Sequence, residues 1–179
     1  HGGYATDVPH AEDYELWSRW APHVRFGNIP EVLMDYSLSA GQVSRQYNAA
    51  QVASAQRIRG GYLNALGIAN NAAQLDIHVH LRDPVPIENF DELDAIQDWL
   101  LTLKTHLPEP TAPVIRRQWF LATVRAAGMG PGTYRRFIAS QLATNIKSSK
   151  LALLHAICTA RLRYRSLPYR WLEPFATVG

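Results

Sequence analysis

The clearest hydrophobic period in the chain starts at Asn89, where Phe90, Leu93, Ile96, Leu100, Leu103 and Leu107 recur at spacings of three and four and trace one helical stripe. Asn89 and Glu92 have capping-box spacing ahead of it. Asp91, Glu92, Asp94 and Asp98 fall mostly off the stripe, so they read as the wetted face of this helix rather than as acid/base or Mg²⁺ chemistry. A shorter pattern, Tyr14, Leu16, Trp17 and Trp20, follows Glu12, Asp13 and Glu15, whose sign suits a helix N-terminus, and Pro22 closes it. Asn28, Pro30 and Glu31 read as another helix start, with Val32, Leu33, Tyr36 and Leu38 on its buried side.

From Ser39 to Arg59, Val43, Tyr47, Ala50, Ser54 and Ile58 form a narrow stripe in a run rich in Gln, Ala and Ser. Gly60 and Gly61 are expected to interrupt this helix before a second one, Tyr62 to Gln74, that carries Leu63, Leu66, Ala69 and Ala73. Residues 76 to 87 change period: Ile77, Val79 and Leu81 alternate with His78 and His80 before Pro84 and Pro86, which predicts one short extended segment near 76–81. Beyond Pro108, Pro110 and Pro113, a helix to Ala127 places Val114, Ile115, Trp119, Ala122 and Ala126 inward and Arg116, Arg117 and Arg125 nearer the surface. Gly128, Gly130, Pro131 and Gly132 stop it. Thr133 then caps a long final helix through about Arg165, with Ile138, Leu142, Ile146, Leu153 and Ile157 at core spacing and Ser148 and Ser149 weakening its middle.

The pattern therefore predicts a mainly α protein of about six or seven helices in two unequal lobes. The expected divisions are an N-terminal arm (1–10), an acidic helical lobe (11–107), a basic helical lobe (108–167) and an aromatic, proline-studded tail (168–179). A chain of 179 residues with 47% hydrophobic and 18% charged residues lies far from compositions that stay unfolded. Cys158 is the only cysteine, which excludes an intrachain disulfide and a cysteine-based zinc site and favours a reducing, cytoplasmic setting. No apolar run approaches the ~18 residues of a bilayer span, so no membrane partner is expected.

Charge changes the picture most. Pro110 to Leu172 holds eleven of the eighteen Lys and Arg residues and no carboxylate, while residues 1–109 hold fourteen of the fifteen Asp and Glu. The net charge of +3 thus hides an acidic and a basic pole. Arg116, Arg117, Arg125, Arg135, Arg136, Lys147, Lys150, Arg161, Arg163 and Arg165 alternate with Trp119, Phe120, Tyr134, Phe137 and Tyr164. Cations interleaved with aromatics suit the backbone and bases of single-stranded nucleic acid, RNA above all. The Gly128–Gly132 turn, with Arg135 and Arg136 expected at the positive end of the following helix, reads as a candidate phosphate contact.

A second constellation is Asp76-Ile77-His78-Val79-His80-Leu81-Arg82-Asp83-Pro84, which on a strand would put Asp76, His78 and His80 on one face. It resembles the metal-binding strand of cyclic amidohydrolases such as dihydroorotases and allantoinases. That resemblance implies a metal-dependent hydrolase with Arg82 on a substrate carboxylate, but it covers nine residues, and a (β/α)₈ barrel needs about 200 or more. Cys158 lies in an apolar stretch and reads as a core residue, and no serine sits in a Gly-x-Ser-x-Gly elbow. The reading that follows is a non-enzymatic protein without catalytic residues, metal or cofactor, binding RNA through the ten cations named above and assembling with copies of itself. In size, helix content and polarity it resembles coat or nucleocapsid proteins of filamentous RNA viruses, implying a virion as its location. The alternatives are the metal-dependent hydrolase and a protein–protein adaptor.

Overall fold

A computed structural model describes residues 2–35, 48–81 and 85–170. The fold is mainly α, as the periodicity predicts. Among the described residues there are seven α-helices: α1 (Glu12–Trp20), α2 (Asn48–Ala65), α3 (Ala72–His80), α4 (Phe90–His106), α5 (Ala112–Arg125), α6 (Pro131–Ala139) and α7 (Ser148–Thr159). Two 3₁₀ turns, Glu109–Thr111 and Ala127–Met129, flank α5. The chain forms two compact units, His1–Asn71 and Ala72–Gly179. The division does not fall at the proline cluster, because α4 and α5 on either side of it pack against each other.

In the first unit α1 packs on α2. The segment before α1, expected as an N-terminal arm, is irregular and is tied into its own unit. Arg19 Nη2 donates to Gly3 O (2.7 Å), Gln51 Nε2 donates to His10 O (2.9 Å), an Arg57 guanidinium N–H donates to Asp7 O, and Val8 is buried. Residues 24–35 are not helical, and Val32 and Leu33, expected to be buried, are 90% and 68% exposed. Tyr36, Leu38, Val43 and Tyr47 lie outside the described residues.

α2 runs through Gly60 and Gly61 without a break and ends at Ala65, two residues before Gly67 (φ +76°). There Ile68 N–H bonds to Leu63 O (2.9 Å) and Gly67 N–H to Asn64 O (2.9 Å), while Ile68 and Leu63 are both buried. That is a Schellman closure, which needs a left-handed residue just past the capping residue and so stops α2 short of the expected Gln74.

The second unit has the larger core, with Trp99, Trp119, Phe137, Ile96, Leu100, Leu142, Leu154 and Ile157 at 2% exposure or less. Asn89 caps α4 as its spacing predicts, its side chain accepting from Glu92 N–H (2.7 Å). Leu93, Ile96, Leu100 and Leu103 form the buried stripe, joined by Trp99. The extended segment expected at 76–81 is helical: α3 takes in Asp76, His78 and His80 and packs on α4. Alternation over six residues is too short a signal to override the helix-favouring Ala72-Ala73-Gln74-Leu75 run ahead of it.

The long final helix is two helices. Ser140 to Lys147 intervenes, with the Ser140 hydroxyl accepting from Leu142 N–H (3.2 Å), Leu142 fully buried and Asn145 left-handed at φ +57°. Thr133 does not cap a helix. It lies within α6, buried, its hydroxyl donating to Ala126 O (3.0 Å), and Gly130 and Pro131 open the helix. Of the tail, Tyr169 is buried against Tyr164 (ring centroids 4.9 Å apart), and Trp171 to Gly179 lie outside the described residues.

Candidate functional site

The ten cations do not line one groove. Arg125 is buried, its Nε donating to Val85 O and its Nη1 to His80 O, both at 2.8 Å, so it holds the backbone ahead of α4 against the end of α5. Arg136 pairs with Asp94 (2.9 Å) and lies 3.9 Å from the Phe90 ring centroid. Arg163 pairs with Glu88 at 2.5 Å. Arg161 is left-handed (φ +50°), two residues past the end of α7, and its guanidinium crosses Gly130. Arg165 is exposed, 5.8 Å from the Tyr164 centroid, and Arg135 is exposed on α6. Four remain together: Arg116, Arg117, Lys147 and Lys150 line one cleft of about 220 Å³ with Phe120 and Asn145.

The Gly128–Gly132 turn serves packing rather than a phosphate. A Cβ at Gly132 would stand 2.9 Å from Phe90 Cζ, and one at Gly130 3.1 Å from Arg161 Nε. Arg135 and Arg136 lie late in α6, with Arg136 in its last turn, so the conflict with the helix dipole does not arise.

The metal-strand expectation fails because a helix turns about 200° over two residues, which sends Asp76 and His78 to opposite sides. His78 Nδ1 accepts from Trp99 Nε1 (3.1 Å), a structural contact inside the second unit. Arg82 lies outside the described residues. No group of three or more potential metal ligands gathers among the described residues. Cys158 is fully buried and its thiol is pushed up to about 12 by that burial, which keeps it protonated.

The first unit offers different chemistry. The opening turn of α1 carries three carboxylates, two of them held by backbone N–H groups or by a guanidinium. Glu12 accepts its own N–H and that of His10 (3.0 Å), which hold its carboxyl below the usual range. Glu15 takes both Nε and Nη2 of Arg19, at 2.8 and 3.0 Å. Asp13 faces solvent, and the Tyr4 hydroxyl donates to it, raising the phenol above its ordinary value. Trp17, one turn further along the same helix face, is 57% exposed, and Tyr4 is 62% exposed.

A solvent-facing carboxylate between two exposed aromatic rings can take a proton from a hydroxyl while an aromatic face receives an apolar ring edge. The sequence reading assigned Trp17 to the apolar side of α1. The missed signal was that Tyr14, Leu16, Trp17 and Trp20 span more of a nine-residue helix than one stripe can hold.

No family model matches the chain, and no solved structure matches it. A protein of Haemophilus influenzae named an uncharacterized glycosyltransferase is 36% identical over 83 residues, 42% of this chain and 26% of that protein. The chain thus spans about a quarter of the length of the curated relative it matches. That likeness overturns the non-enzymatic, coat-like reading with no catalytic residue and points to an enzyme. No helix among the described residues is long and apolar enough to cross a membrane.

Proposed function

We propose that this chain takes part in glycosyl transfer, with Asp13 as the general base and Trp17 and Tyr4 as the surfaces that receive a sugar ring. The likeness to a protein named a glycosyltransferase carries this reading, and the exposed carboxylate flanked by aromatics on α1 supports it. In the transfer an acceptor hydroxyl oxygen forms a bond to the anomeric carbon of an activated donor. The bond from that carbon to the leaving group breaks, and the leaving group keeps the electron pair. The acceptor proton passes to the Asp13 carboxylate. Tyr4, donating to the same carboxylate, fixes its orientation. Glu12 and Glu15, tied to His10 N–H and Arg19, hold the turn that presents it.

The test is to incubate the protein with sugar nucleotides and lipid-linked sugar phosphates in turn, together with oligosaccharide acceptors, and to follow acceptor mass. One donor should add the mass of one glycosyl residue. Asp13→Asn should slow that transfer by about 10²- to 10⁴-fold with the fold intact by circular dichroism. Trp17→Ala should act mainly through KM. No transfer by the unaltered protein, or transfer undiminished in Asp13→Asn, overturns the proposal.

A further inference from the structure

The cleft that gathers Arg116, Arg117, Lys147 and Lys150 has no carboxylate in its lining, and no Asp or Glu among the described residues forms an ion pair with Arg116, Arg117 or Lys147. Like charges held this close repel unless an anion shares them. A further feature points the same way. α7 starts at the rim of the cleft with Lys147 as its first flanking residue and Lys150 in its first turn, and no side chain caps it. Cations there oppose the helix dipole, whereas an anion would satisfy both the dipole and the exposed N–H groups. Phe120 forms a rigid floor: it is buried, stacked edge-on to Phe137 (centroids 5.9 Å apart), with the Lys150 ammonium 5.7 Å from its ring centroid.

We infer that this cleft, in the second unit, binds a phosphoryl or diphosphoryl group of a small molecule, with Arg116 and Arg117 as guanidinium donors and Lys147 and Lys150 as point charges. Planar guanidinium groups match phosphate oxygens two at a time, and ammonium groups add charge without fixed geometry. The volume of about 220 Å³ lies below the roughly 300 Å³ at which clefts take a whole drug-sized molecule, so it suits one charged group. This assignment stands apart from the role of Asp13 and does not depend on glycosyl transfer.

Isothermal titration of the full chain with inorganic pyrophosphate at low ionic strength tests it. Binding should saturate at one site, weaken as salt is added, and fall more than tenfold in Arg116→Gln/Lys147→Gln. Arg135→Gln, which alters an exposed cation on α6 outside the cleft, should bind as the unaltered chain does. The double variant changes only residues that are exposed or half-exposed, and its melting curve verifies that it folds. Absence of pyrophosphate binding, equal binding by the double variant, or an equal loss in Arg135→Gln overturns the inference. Competition by a nucleoside diphosphate or by a hexose 1-phosphate then identifies which source of the group is preferred.

Discussion

Glu12 shows how much a single residue can fix. Its carboxylate is hydrogen-bonded by its own N–H and by that of His10, a left-handed residue at φ +61°, so the chain enters α1 at a defined angle. Those bonds favour the charged form and lower the carboxyl in the folded protein relative to the ordinary value of 4.5. The sign follows from linkage: a depressed folded value gives stability that is present above 4.5 and is lost as pH falls through the depressed value. Glu12→Gln should therefore weaken the first unit at neutral pH, while below that window variant and unaltered protein converge. Tyrosine and tryptophan near-ultraviolet dichroism followed against urea at several pH values measures this, and a gap that persists at acid pH would contradict it. The acidic first turn of α1 was legible in the sequence. Which acid faces solvent was not, because that depends on His10 and Arg19, set by the folded backbone rather than by the helical pattern.

At the scale of elements, the helices with long apolar stripes and turn punctuation were legible, α4 and the start of α5 above all. Three features were not. Alternation at 76–81 is too short a signal to set a strand against the helix-favouring run from Ala72, and the segment packs on α4 as a helix. The break between α6 and α7 has no Gly or Pro to announce it; Leu142, Asn145 and Ser140 make it by tertiary contact and local hydrogen bonding. Arg125 looked like a surface cation but ties two backbone carbonyls from before α4 to the end of α5, and Ile87 N–H bonds to its own carbonyl (3.2 Å). A charge-assisted hydrogen bond contributes about 1.5–3 kcal/mol and a stranded carbonyl costs more than one replaced in kind. Arg125→Met should thus destabilise the second unit by about 3 kcal/mol, and Arg125→Lys, which cannot span both carbonyls, should recover little of it. Urea unfolding followed by tryptophan emission reads this; a loss well under 1 kcal/mol would mean the clamp is dispensable.

Across the whole molecule, the sequence displayed an acidic and a basic half but not how the cations are spent. Arg136 and Arg163 reach back to Asp94 and Glu88 of the acidic portion, Arg125 is buried, and only a subset shares a cleft. Pairing across the proline cluster also explains why the compact units divide at Asn71 rather than at the change of charge. The two units differ in how they are built. Among the described residues the first buries Val8, Ala11, Leu63 and Ile68 and leaves Trp17, Phe26, Ile29, Val32, Leu33 and Met34 exposed, whereas the second encloses two tryptophans and two phenylalanines with a dense aliphatic set. Burying a large apolar side chain contributes about 1.5–3 kcal/mol, so the core of the second unit holds its amides against opening far more strongly. Hydrogen exchange read by mass spectrometry should then show α4 and α5 protected longest and α1 and α2 exchanging earlier, with residues 24–35 fastest. Equal protection in α1 and α4 would mean that one cooperative core spans the chain. Slow exchange confined to the second unit would mean that the turn carrying Asp13 belongs to the less stable part of the molecule, where local opening is cheapest and where a sugar ring settling on Trp17 and Tyr4 would have the most to order.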